Sequence, residues 1–248
     1  MASSRAWTHP KGSGVPICCD FRHVAPPRAP VPLRAKNEPE QMPISKDLIE
    51  AVETGMSWDA YMELFGRVVA EGRTTGPVQT EDLFAYTKLN LSRSRRWNKT
   101  LKVLPALENG LPIQAPQTWL VLTEAWCGDA AQCNPIIAEL AKRTSGIRLR
   151  FALRDEHLSV MDRYLTNGGR SIPKLIAWDD ATGEELFTWG PRPEGAQKIY
   201  SAFLAQPVES RDAEAMKEQL HRWYFDDAGV SVQEELLALV RDTVEVER

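Results

Sequence analysis

Apolar positions change their period once along the chain. From residue 45 to residue 105 they recur at helical spacing. Ser45 is placed to cap a short helix with Leu48, Ile49 and Val52 on one face and Gly55 at its end. Ser57 is placed to cap a second, carrying Trp58, Tyr61, Met62, Phe65, Val68 and Val69, with Gly72 closing it. Thr80 is placed to cap a third, with Leu83, Thr87, Leu91, Trp97, Leu101 and Leu104 inward and Pro105 as its stop. Residues 118–125 (TWLVLTEA) then form a nearly unbroken apolar run rich in β-branched residues, as a strand buried on both faces requires. A helix is expected over 129–143, a strand over 147–153 and a helix over 156–166 that stops at Asn167-Gly168-Gly169. Two strands over 174–178 and 185–189 are joined by a turn, and a helix follows over 194–205. The order β-α-β-α-β-β-α implies a parallel βαβ unit followed by an antiparallel hairpin, a mixed α/β sheet flanked by helices. Two more helices end the chain, the second opened by a capping box, Ser231-Val232-Gln233-Glu234.

Residues 1–43 show neither period and hold eight of the 17 prolines. Such a segment buries too little apolar surface to offset its ordering entropy. It reads as a disordered tail, or as an upstream extension of a chain whose translation starts at Met42. The expected division is therefore a tail over 1–43, a helical extension over 44–110, an α/β domain over 111–206 and C-terminal helices over 207–248.

The 248 residues are 43% apolar and 26% charged, with a formal net charge of −4. This acidity argues against a nucleic-acid partner, which calls for a basic excess. The basic run on the third helix (Lys88, Arg93, Arg95, Arg96, Lys99, Lys102) reads as a solvated face. No stretch is long and apolar enough to suggest a membrane span, and the start lacks a signal-peptide core. The expected compartment is the cytoplasm. Cys18, Cys19, Cys127 and Cys133 are too few and too irregularly spaced for a disulfide framework or a zinc site. No metal or cofactor is expected, and the pattern carries no signal of oligomeric state.

Chemistry concentrates in Trp126-Cys127-Gly128-Asp129-Ala130-Ala131-Gln132-Cys133-Asn134-Pro135, where the first strand turns into a helix. A cysteine at that turn faces the first free N–H groups of the helix, which stabilise a thiolate. The alternative is a small buried hydrophobe. Asp129, in the first helical turn, suits the dipole yet repels a neighbouring thiolate.

The segment resembles the thioredoxin family. Trp126-Cys127-Gly128 matches the W-C-G before that family's active-site helix, and Pro135 matches the proline inside it. Ser171-Ile172-Pro173 matches the cis-proline loop beside the sulfur, and Gly190 matches the glycine beside the substrate groove. The resemblance covers about residues 116–206. TTGP (74–77), WCGDAAQ (126–132), RSIPKLI (170–176) and WGPRP (189–193) are similar to a bacterial subgroup of the family. It implies a thiol oxidoreductase with Cys127 as its nucleophile and Trp126, Gly128, Ile172, Pro173 and Gly190 around the groove. Arg170 and Arg192, on two loops that the fold brings to that groove, are expected to pair with Asp129 or to receive an anion.

Two departures bear on activity. A dithiol member carries a second cysteine three residues after the first, where this chain has Ala130. The carboxylate that serves the second thiol is replaced by Val121. Cys133 lies roughly 9 Å along the helix from Cys127 and some 240° around it, whereas a disulfide needs Cα atoms within about 7 Å. The expectation is thus a single-thiol oxidoreductase acting on protein or low-molecular-weight disulfides. The rival is a redox-inactive interaction module on the same fold.

Overall fold

The computed structural model describes residues 44–246, with side chains through Thr243. The expected tail over 1–43, with Cys18 and Cys19, lies outside the described residues. Three helices come first: α1 (Lys46–Glu53), α2 (Trp58–Ala70) and α3 (Glu81–Thr100). The hydroxyls of Ser45, Ser57 and Thr80 accept the N–H groups of Leu48, Ala60 and Leu83, so each expected N-cap is formed. Gly72, at φ +73°, ends α2, and the next N–H, of Arg73, closes on Val68 O at 3.0 Å.

The sheet comprises β1 (Gln117–Thr123), β2 (Ile147–Leu153), β3 (Lys174–Asp179) and β4 (Glu185–Trp189) in the order β2-β1-β3-β4. β1 runs parallel to β2 and antiparallel to β3, and β3–β4 is an antiparallel pair. α4 (Gly128–Arg143) makes the parallel crossover, and α5 (Leu158–Met161), α6 (Glu194–Ala205), α7 (Ala213–Asp227) and α8 (Val230–Val246) complete the fold. This is the mixed, helix-flanked α/β sheet that the apolar pattern implies.

All seven residues of β1 are buried, because both faces of the strand are covered. Trp119 and Val121 belong to the larger apolar cluster, with Ile136, Ile137 and Leu140 of α4, Tyr61 and Phe65 of α2 and Leu236 and Val240 of α8. Leu120 and Leu122 belong to the other, with Leu48 and Val52 of α1, Val160 and Met161 of α5, and Cys127.

Three local expectations are corrected. α3 ends at Thr100, not beside Pro105, because Gln233 ties down the segment that follows. Its Oε1 accepts Leu104 N–H at 2.9 Å and its Nε2 donates to Lys102 O at 3.2 Å. The helix expected over 156–166 shrinks to one turn, α5, followed by a tight bridge in which Thr166 and Gly169 exchange both backbone hydrogen bonds, with Asn167 at φ +51°. The capping box at Ser231 does not form. α8 starts one residue earlier, and Asp227 accepts the Ser231 N–H at 3.2 Å.

Candidate functional site

Cys127 occupies the N-cap of α4. Its Sγ accepts the Ala130 N–H at 3.4 Å, the helix-start contact expected of a thiolate site. The same Sγ lies 3.2 Å from Ile172 O, to which the thiol donates. The side chain is fully buried. Ile172–Pro173 is cis, and Pro173 is buried beside it. Gly190, at φ +105°, backs directly onto this loop: a Cβ there would lie 2.2 Å from Pro173 O, so only glycine fits. The structure therefore brings Cys127, Ile172, Pro173 and Gly190 together.

Asp129 and Arg192 meet as well. Arg192 Nη2 donates to Asp129 Oδ2 at 2.6 Å, with both side chains almost wholly buried. Tyr224 OH donates to Asp129 Oδ1 at 2.9 Å, and the Arg192 guanidinium sits 4.1 Å from the Tyr200 ring centroid. This pair clamps the start of α4 to the loop after β4 and to α7. Arg170 has a different ion-pair partner: its guanidinium grips Asp162 at 2.6 and 2.8 Å in an exposed pair. Its carbonyl instead accepts from Arg154, whose guanidinium covers the Trp126 ring at 4.9 Å.

A family model described as thioredoxin matches residues 76–215, more than half of the chain. The chain belongs to the thioredoxin family. No curated protein matches it. Among solved structures it resembles an HIV epitope scaffold at 14% identity and a TM-score of 0.51, covering 78% of this chain and 97% of the other. A Pseudomonas aeruginosa protein of unknown function is similar at 16% identity and a TM-score of 0.46, over 75% of this chain and 98% of that one. At 14% identity the scaffold speaks for the fold alone.

Within this thioredoxin-family chain Cys133 sits apart from Cys127, as helix geometry requires. It is fully buried with its Sγ 3.8 Å from Tyr224 OH. Burial, reinforced by Asp129, pushes its thiol well above the usual range. Among the described residues no cluster of three or more His, Cys, Asp or Glu side chains is arranged to hold a metal.

Two groups at the site escape the motif reading. Glu124, three residues before Cys127, is fully buried. Its Oε1 accepts Asp155 N–H at 3.0 Å, and Oε2 has no hydrogen-bond partner. Burial raises its carboxyl to about 7, with the Thr75 hydroxyl as the main opposing influence. Gly76 of TTGP makes room here: a Cβ would lie 2.6 Å from Asp155 Oδ2 and 3.7 Å from Glu124 Oε2. The second is Arg93, one turn before Trp97 on α3. It is turned inward while its basic neighbours Arg95, Arg96 and Lys99 are exposed. Its helical phase, beside the buried Asn90 and Trp97, is the signal that separates it from the solvated face.

Proposed function

We propose that the protein is a single-thiol exchange catalyst of the thioredoxin fold. The Cys127 sulfur attacks one sulfur of a protein or low-molecular-weight disulfide, a mixed disulfide forms, and the displaced thiolate leaves and takes up a proton. An outside thiol then attacks the mixed disulfide, returns Cys127 to its reduced form and is itself oxidised. The position of Cys127 Sγ carries this reading, since it receives a helix-start N–H while facing the cis-proline loop. The WCGDAAQ, RSIPKLI and WGPRP segments favour the bacterial subgroup, and a cytoplasmic setting with reducing thiols suits the cycle. With Ala130 at the resolving position and Cys133 held at Tyr224, the described residues offer no resolving thiol beside Cys127.

One observation favours the rival, a redox-inactive interaction module: Cys127 is closed to solvent and its S–H is spent on Ile172 O. Chemistry therefore requires a local opening of the cap around the sulfur. Native-state alkylation measured against pH decides between them. Reaction at Cys127 under native conditions, and thiol-transfer activity lost in Cys127→Ser but largely kept in Cys133→Ser, is the expected result. An inert Cys127 under native conditions assigns the chain to the binding class. A Cys127–Cys133 disulfide as the main oxidation product overturns the single-thiol cycle.

A further inference from the structure

A second feature borders Trp126, Gly128 and Asp129. α3, α4 and α7 line a half-open cavity of about 80 Å³. At about 30 Å³ per water this is the space of two to three waters, or of a carboxylate with a short carbon substituent. Leu83, Trp126, Met216 and Leu220 supply apolar wall, and Arg93 and Lys217 supply positive charge.

Arg93 is set up for a ligand. Its Nη1 donates to Asn90 Oδ1 at 3.0 Å and its Nη2 to His221 Nε2 at 2.8 Å, both neutral acceptors. A guanidinium carries five N–H donors, and Arg93 has no carboxylate within ion-pair distance among the described residues. Desolvation lowers its ionisation to about 10, and the charge of Asp129, outside ion-pair distance, offsets that loss only in part. Lys217 Nζ spends two donors on Tyr86 OH at 3.2 Å and Glu214 at 2.7 Å, and the third remains. Asp129, the acid on the cavity wall, is already answered by Arg192 and Tyr224. The positive end of the 16-residue α4 adds to the field. Gly128 leaves the approach open: a Cβ there would stand 3.6 Å from Arg93 Nη1.

We propose that this cavity binds a small monocarboxylate, its charge held by Arg93 and Lys217 and its short apolar end against Trp126, Met216 and Leu220. The site is independent of thiol chemistry, so it is tested on the full chain carrying Cys127→Ser. Propionate and butyrate are titrated and followed by ligand-observed NMR, with propionamide and inorganic phosphate as comparisons. Saturable binding of the acids is expected. Arg93→Gln should weaken it about tenfold, the effect of removing a charged hydrogen-bond donor. Gly128→Ala, which narrows the cavity without forcing a backbone change, should weaken it several-fold at an unchanged or higher melting temperature. It decides the matter if Arg93→Gln fails to fold. No saturable signal, equal binding of propionamide or phosphate, or unaltered affinity in Gly128→Ala overturns the proposal.

Discussion

Glu124 shows how much one side chain at this site changes the behaviour of the protein. In the unfolded chain it ionises at its ordinary 4.5, and in the folded protein at about 7. The folded state thus binds more protons between those values, and stability falls as pH rises through that window. The gap amounts to about 3 kcal/mol, present below 4.5 and lost above about 7. Glu124→Gln removes the charge and should flatten this slope. Urea unfolding at pH 5 and pH 8 should show the wild type weaker at pH 8 and the variant nearly unchanged. An equal pH response in both proteins would clear Glu124 of the effect. The motif reading passes over this residue because it looks for the family's carboxylate at position 121, where Val121 stands. The acid comes instead from the end of the strand, and its burial depends on Thr75, Gly76 and Asp155, residues that only the fold assembles. The meeting of Cys127, Pro173 and Gly190 was legible because each stands in a short local motif. Arg192 was legible only as a candidate, and the pairing of Arg170 with Asp162, eight residues before it, was signalled by no motif.

At the scale of elements, periodicity locates what is amphipathic and misses what is capped from afar. The first three helix starts were readable because each cap lies three residues from its N–H partner. The end of α3 was not, because its determinant lies in α8. Gln233 is fully buried and makes three hydrogen bonds, to Leu104 N–H, Lys102 O and Gly229 O. The apparent capping box around it was therefore a false signal, since Gln233 faces another helix's end and Ser231 turns to Asp227. Gln233→Leu keeps the volume and removes the side-chain partner of the part-buried Leu104 N–H and Lys102 O and of the buried Gly229 O. At about 1–3 kcal/mol for a buried group left without a partner, the variant should lose about 1–3 kcal/mol. Chemical denaturation measures this, and hydrogen exchange should show the loss first at Leu104. A loss below about 1 kcal/mol would mean that water replaces the side chain.

The whole molecule has a boundary that a family match does not reveal. The match ends at residue 215, inside α7, and the resemblance in sequence ends near 206. The core does not stop there. Met216, Leu220 and Tyr224 of α7 and Val232, Leu236, Leu237 and Val240 of α8 are buried in the same cluster as Trp119 and Val121 of β1 and Trp189 of β4. Trp189 also donates its indole N–H to Glu235 at 2.7 Å, and the N–H of Glu194, which opens α6, reaches the same carboxylate at 2.7 Å. Seven buried side chains at about 1.5–3 kcal/mol each contribute roughly 10–20 kcal/mol as an upper bound. A domain's net stability is about 5–15 kcal/mol, so the α/β part should not survive without them. A chain ending at Gln206 is expected to lack a cooperative thermal transition and to bind a hydrophobic dye. The full chain should unfold in one step, with tryptophan fluorescence and far-ultraviolet circular dichroism coinciding. Retention of a sharp transition by the truncated chain would make α7 and α8 an appendage. Its failure to fold would make them part of the domain that holds Cys127 in place, through Tyr224 on Asp129 and Leu236 and Val240 against the core that α4 shares.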